Sequence, residues 1–458
     1  MYGQDMTNSR NGGLGGPAPD AAPALERAWT FTATDGDFTG TPMVSGGLVV
    51  AGSSGGTVYA LDEATGALRW SHDFNQSINA SLAISAGRVL VPLATVSHPS
   101  LVALAASDGS QLWSTALDTQ IDSETFSSPI VSGSTAYIGT SGGAGETTNA
   151  NAHVQGSVVA VDIASGAIRW KTYTVPAGYD GGAVWSSPTI DAETNTIYVG
   201  TGNAYHAPVA STTDALLALD AGTGAILRSF QVTAGDINQS QNLVNGPDFD
   251  FGASPNLFRG IGGAKLVGEG QKSGVYWAFD RGTLLPAWAA AVGLPGHTGG
   301  VIGSTAWDGT ALYGPDTVLG EVWSISPLLG TPRWAAFDSD SMHFNPVSVA
   351  NGVLYSSNSS GSLIARDART GATLARLALG APALGGVAVA DGAVFAETGS
   401  FTTTGYVEAF RPGTARCAPA TPPAADPVSA LVNRVLGLVG VVVQRVVSVL
   451  GSGATGCA

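Results

Sequence analysis

The stretch NGPDFDFGASPN, residues 245–256, sets Asp248 and Asp250 two positions apart, alternating with Phe249 and Phe251, in a chain of 458 residues that is only 12% charged. Two acids so placed suit two tasks: one carboxylate can neutralise a cation and the other can take a proton as a general base. Other residues with chemical capacity fall in equally irregular stretches. Glu146 lies in the glycine-rich SGGAGETTNANAHVQ (141–155), and Lys272 lies in GEGQKSGVYWAFDRG (268–282). Trp185 precedes one strand-like run and Asn203 follows the next in AVWSSPTIDAETNTIYVGTGNAYHAP (183–208). Carboxylate and amide oxygens from Glu146, Asn203 and an Asp suit a hard cation such as Ca²⁺, which takes several oxygen ligands. Trp185 offers a flat face for a planar group. Each residue also has an ordinary reading by itself: Asn203 in a turn, Trp185 in packing, Glu146 and Lys272 as solvated charges. His98, His206 and His297 fall in loops, where solvation is the default, and no Ser-His-Asp spacing is present.

These residues need a frame, and the frame is a repeat. GTVYALDEATGALRW (56–70) returns as GSVVAVDIASGAIRW (156–170), and self-similarity at a fixed period marks a repeat architecture. Each unit holds short apolar strands joined by glycine turns, four to a unit, which predicts antiparallel β-structure. The position of Asp62 recurs at Ala105, Asp162, Asp220, Asp280, Ser326, Asp367 and Phe410, at separations of roughly 40 to 60 residues, the size of a propeller blade. This predicts an all-β, eight-bladed β-propeller of four-stranded antiparallel blades over residues 1–412. In Asp62 to Gly66 and Asp162 to Gly166 the acid caps backbone amides and Gly supplies positive φ, so these acids are structural. Trp70, Trp113, Trp170, Trp288 and Trp334 recur on the last strand and are expected to wedge between blades. LERAWTFTA (25–33) reads as a last strand with none before it, so it should complete the final blade and close the ring. Insertions and departures from the repeat then mark the functional face, which is where Glu146, Trp185, Asn203, Asp248, Asp250 and Lys272 fall, in consecutive units.

Composition sets further bounds. Sixty-three glycines and 44% hydrophobic residues suit a folded chain rich in turns. A formal charge of -15, without a basic stripe, argues against nucleic acid as a partner. Cys417 and Cys457 bracket the C-terminal segment, as one disulfide or two thiols, so a CxxC pair, an adjacent-cysteine ring and a CxxCH haem attachment are excluded. A Pro/Ala-rich linker is expected over 413–427 and an apolar helix with its tail over 428–458. Arg434 and Arg445 are eleven residues apart, close to three helical turns, so an amphipathic helix would carry both on one face. Residues 428–450 would then lie on the protein itself, on a partner or on a membrane surface, rather than span a bilayer. The opening MYGQDMTNSRNGGLGG shows neither a basic n-region nor an apolar h-region, so no secretory signal is visible in this chain.

The blade repeats resemble those of propellers that bind pyrroloquinoline quinone (PQQ). VWSSPTID, IYVGTGN, DFDFGASPNLF and GQKSGVYWAFDRGT are similar to stretches of PQQ-dependent alcohol dehydrogenases, in particular the polyvinyl alcohol dehydrogenase branch, and MYGQDMTNSR is similar to the start of that branch's mature domain. The resemblance runs to about residue 412. It implies PQQ near the propeller axis and Ca²⁺ held between protein oxygens and the quinone. Carried over by motif, Glu146 and Asn203 would be metal ligands, Trp185 the floor beneath the quinone, and Lys272 a contact to its oxygens. The family's base corresponds to Asp248 or Asp250, and the Asp-aromatic-Asp spacing leaves a lanthanide open as the metal, with both acids as candidate ligands. The implied reaction is oxidation of a small or polymeric alcohol, polyvinyl alcohol among them, with electrons passed to a separate acceptor such as a cytochrome c. The expected location is periplasmic or secreted. Two features depart from the pattern: the adjacent-cysteine ring is impossible, and the loops are shorter than in the large alcohol dehydrogenases. The competing reading is a non-catalytic propeller that has lost the cofactor and serves as a binding or assembly scaffold.

Overall fold

The computed structural model describes residues 2–149, 151–239, 244–338, 342–400 and 404–413. The segments expected as a linker (from 414) and as an amphipathic helix and tail (428–458) lie outside the described residues. No helix among those described is long and apolar enough to cross a membrane.

Eight four-stranded antiparallel sheets follow one another along the chain. The first blade comprises Met43–Ser45, Leu48–Gly52, Thr57–Asp62 and Leu68–Asp73. The third, fourth and fifth begin at Ile130, Thr189 and Asn256. The eighth takes its outer strand from the other end of the chain: Leu25–Thr32 pairs antiparallel with Tyr406–Pro412. Radial closure of this kind leaves only short strand edges unpaired.

The seam between blades follows from the repeat. Each outer strand meets its neighbour across a β-bulge, and a small residue faces the tryptophan beside it: Ala60 opposite Trp70, Ala103 opposite Trp113, Ala160 opposite Trp170. The indole then leans on the next blade. Trp70 Nε1 donates to Ala106 O at 3.0 Å, Trp113 to Ile163 O at 3.1 Å and Trp170 to Ala221 O at 3.0 Å. Its ring lies over the turn glycine of that blade, where a Cβ on Gly109, Gly166 or Gly224 would come within 2.5–2.7 Å of it. Trp29 repeats the contact across the closure, donating to Glu63 O at 3.0 Å and covering Gly66. Two seams are built differently. In the seventh blade Ala375 stands opposite Ala365, with no tryptophan. In the fourth, Arg228 stands opposite Ala218, and the turn of the fifth blade carries Leu284 in place of Gly, at φ 58° and fully buried. At that seam, where no indole occupies the space, a leucine fills it.

Two arcs of hydrogen bonds run beside the axis. Along one, the entry residues of the first five blades each donate an amide to the hydroxyl of the next: Thr41 to Ser81, Ser81 to Ser128, Ser128 to Ser187, Ser187 to Ser254, Ser254 to Ser304, all at 2.7–3.0 Å. The other is formed by the N-terminal segment. Carbonyls of Met6, Thr7, Ser9 and Arg10 accept the amides of Ile190, Leu257, Trp307 and Val349, which lie on the innermost strands of the fourth to seventh blades. The segment therefore arcs across the axial edge of four sheets and satisfies backbone groups that no strand pairs. Arg10 is buried in this arc, with Nε donating to Val347 O at 2.7 Å, and burial lowers its pKa.

Candidate active site

The loops that depart from the repeat meet on the face of the ring where each first strand begins. Lys272, just after the second strand of the fifth blade, donates to Asp248 Oδ1 at 2.9 Å and to Asp250 Oδ2 at 2.7 Å. Its ammonium also sits over the Trp185 indole, 5.5 Å from the ring centre. The far edge of that indole packs on Gly252, where a Cβ would come within 2.4 Å, so glycine is required for Trp185 to lie there. Asp250 Oδ1 accepts the Asn203 amide at 2.9 Å. Asn203 Nδ2 donates to Ala204 O and Asn238 O at 2.8 and 3.0 Å, which fixes the amide orientation and leaves Oδ1 as its acceptor. Glu146 sits on the short helix Gly143–Thr148, beside Asn203 and within the field of Asp250 and Asp248. The structure thus brings all six residues singled out from the sequence into one cluster.

Acids outnumber cations there. Burial first, then Asp250 and Asp248, raise the Glu146 carboxyl to about 8. Burial and Asp250 raise Asp248, against the pull of Lys272. Asp236, buried beneath, is raised mainly by burial while its oxygens accept the amides of Asp248 and Phe249. Asp214 is held well above the usual carboxylate range by burial and by Asp250 and Asp236, and neither of its oxygens has a hydrogen-bond partner among the described residues. Lys272 responds in the opposite sense: burial alone would lower it, but Asp250 and Asp248 outweigh burial and raise it. Five carboxyls around one ammonium, with an unpaired buried Asp, form a donor set that suits a hard cation of charge two or three.

Comparison with known proteins places this frame. A family model described as "Outer membrane protein assembly factor BamB" matches residues 22–204 and again 155–414. The chain belongs to the PQQ-type repeat family of β-propellers. The polyvinylalcohol dehydrogenase of Sphingopyxis sp. (strain 113P3) is 30% identical to this propeller over 371 residues, covering 69% of this chain and 56% of the relative. The quinohemoprotein alcohol dehydrogenase of Comamonas testosteroni is 26% identical over 310 residues, 56% of this chain and 41% of the relative. The chain spans about half the length of the curated relatives it matches, or somewhat less. Among solved structures, the Comamonas testosteroni enzyme superposes with a TM-score of 0.77 at 19% identity, covering 93% of this chain and 82% of that one. A europium-containing methanol dehydrogenase gives 0.76 at 17% identity, over 90% and 97%. BamB from Moraxella catarrhalis gives 0.61 at 16%, over 84% and 99%. At these identities the structural matches speak for the fold alone.

Further titratable side chains of the PQQ-type propeller lie beside these residues. His297, expected to be solvated, presents Nδ1 to Asp248 Oδ2 at 2.9 Å while its side chain is 56% exposed. His206, expected likewise, contacts the buried Asp180 at 2.6 Å. Asp214 and Asp236 flank the cluster from positions with no motif of their own. Their signal in sequence is slight: Asp214 takes φ 46°, a conformation Asp tolerates better than most residues.

Proposed function

We propose that the chain oxidises an alcohol with PQQ as the electron-accepting cofactor and a bound Ca²⁺ or lanthanide. The observation that carries this reading is the carboxyl cluster around Lys272 and Trp185, in which burial, then Asp250 and Asp248, raise Glu146 to about 8. The likeness to polyvinyl alcohol and quinohemoprotein alcohol dehydrogenases supports the same reading. When bound, PQQ would supply a hydride acceptor and the cation Lewis-acid polarisation of it. Glu146, Asn203 through Oδ1, and Asp250 would hold the cation, and Trp185 and Lys272 would hold the quinone.

The two aspartates divide by their partners. Both Asp250 oxygens are engaged inward, by the Asn203 amide and by Lys272, and Asp250 is the stronger of the pair in its effect on Glu146. That position suits a ligand. Asp248 has Oδ2 on His297, whose ring reaches solvent, and burial and Asp250 raise its pKa towards the range useful to a base. Asp248 would take the hydroxyl proton of the alcohol and pass it to His297 and then to water. Lys272 keeps both carboxylates oriented by holding one oxygen of each. Reoxidation requires a separate acceptor such as a cytochrome c, and a periplasmic or secreted setting would provide one. The family model's description as an assembly factor supports a second reading, a cofactor-free scaffold. One experiment separates the two: purified protein is mixed with PQQ and Ca²⁺, or with PQQ and La³⁺, gel-filtered, and scanned for quinone absorbance before dye-linked assay on short alcohols and polyvinyl alcohol. Co-eluting quinone with turnover is expected. Protein free of quinone under both cations would leave the scaffold.

A further inference from the structure

Beside this cluster, a second convergence of ligands lies among residues with no part in the reaction. His153 Nδ1 and His206 Nδ1 both approach Asp180 Oδ2, at 2.8 and 2.6 Å. The three ligand atoms lie within 4.8 Å of one another, and the two imidazole rings are 4.5 Å apart. The carboxylate is fixed before any ion arrives: its side chain is 3% exposed, and Oδ1 accepts the amides of Tyr205 and His206 at 3.2 and 3.0 Å. Such amide bonds orient a ligating carboxylate as the outer shell of a metal site does. The strands of loop carrying the three residues are laced together by backbone bonds, Gly181 N to Val154 O at 2.8 Å and Gly182 N to Asn203 O at 3.0 Å. His153 is 69% exposed along its side chain, which leaves a way in from solvent.

We propose that His153, Asp180 and His206 bind a first-row transition metal, Zn²⁺ in the first instance. Two neutral imidazoles and a carboxylate are borderline donors that suit zinc, at about 2.0–2.2 Å per bond, and suit Ca²⁺ poorly. The fourth position is open to water on the exposed side of His153. Hydrogen bonding alone gains little by ordering an exposed histidine, whereas one cation uses all three converging lone pairs. The consequence for the fold follows from position. His153 is on the loop of Glu146, Asp180 on the loop of Trp185, and His206 on the loop of Asn203. The metal therefore clips together the three loops that carry those residues. Its binding does not depend on the quinone reading, because the donor sets share no residue.

The test uses the full chain, stripped with EDTA and titrated with Zn²⁺ against a chromophoric chelator, with Co²⁺ as a spectroscopic probe. One equivalent of zinc is expected to bind, with visible Co²⁺ bands of an imidazole-containing site. His153→Gln, at an exposed position that folding does not need, should weaken zinc at least tenfold, and His153→Gln/His206→Gln further, with Ca²⁺ binding unchanged. Hydrogen exchange in residues 151–156 and 203–207 should slow when zinc is added. Equal zinc affinity in wild type and the double variant would overturn the site, as would displacement of the zinc by Ca²⁺ or La³⁺. Zinc binding without slower exchange would overturn the clip.

Discussion

Glu146→Gln removes one acid from the crowded cluster while keeping its shape. The native carboxyl titrates at about 8 against an ordinary 4.5, so between those values the folded protein keeps a proton that the unfolded chain has released. The stability this contributes is complete below 4.5 and is lost as pH rises to about 8. Each pH unit in the window costs about 1.4 kcal/mol, which over the whole window comes to about 5 kcal/mol. Glutamine has no such proton to lose. In EDTA, the wild type and E146Q should differ least near pH 4.5 and separate steadily towards pH 8.5, the variant ending more stable by about 2–5 kcal/mol. The lower bound applies if Asp248 and Asp214 take up part of the proton that Glu146 releases. For a chain this long the gap corresponds to a few degrees of melting temperature. Adding Ca²⁺ at pH 8 should reverse the order, because the wild type gains RT ln(1 + [L]/Kd) and the variant lacks a ligand. Melting curves across pH, with and without Ca²⁺, measure both effects. Parallel curves in EDTA would refute the crowding, and with it the argument that the cluster requires a cation.

Asp248→Asn should lower kcat by about 10²–10⁴ with cation affinity within a few-fold of wild type, while Asp250→Asn should weaken the cation at least tenfold; dye-linked turnover and calorimetric titration separate the two. Trp29→Ala should cost about 3–5 kcal/mol in denaturant unfolding, because it empties the seam that closes the ring. Gly66→Ala should be destabilising at the same seam, since its Cβ would meet Trp29 at 2.6 Å and its φ is 71°. Arg228→Trp alone should destabilise because Leu284 fills the space the indole needs, whereas Arg228→Trp/Leu284→Gly should recover; a double-mutant cycle should show coupling of about 0.5–3 kcal/mol, and additive effects would refute the seam as described.

Much of the ring was legible because each blade must repeat the same solution. The Asp62 turn, the Ala60–Trp70 pair and the Gly109 platform recur with fixed spacing, so one seam predicts the others. The departures were legible for the converse reason: Asp248, Asp250 and Lys272 interrupt a pattern that the fold alone would have kept. His297 and Asp214 were not, because neither interrupts anything. They matter only through convergence, and a histidine 25 positions beyond Lys272 has no local periodicity that points it at Asp248. The serine arc was hidden similarly. SSP at 127–129, SSP at 186–188 and ASP at 253–255 read as turns into strands, and only their arrangement around an axis links them in series. The N-terminal arc has no repeat at all, and its bonds to Ile190, Leu257, Trp307 and Val349 depend wholly on tertiary placement.

That arc also makes the first ten residues a clasp for blades that come much later in the chain. Met6 to Arg10 hold the inner strands of the fourth to seventh blades, so a protease that trimmed the N-terminus past Arg10 would strip four sheets of a shared partner and leave their inner amides bare. Half of the ring thus depends on a segment that belongs to none of its blades.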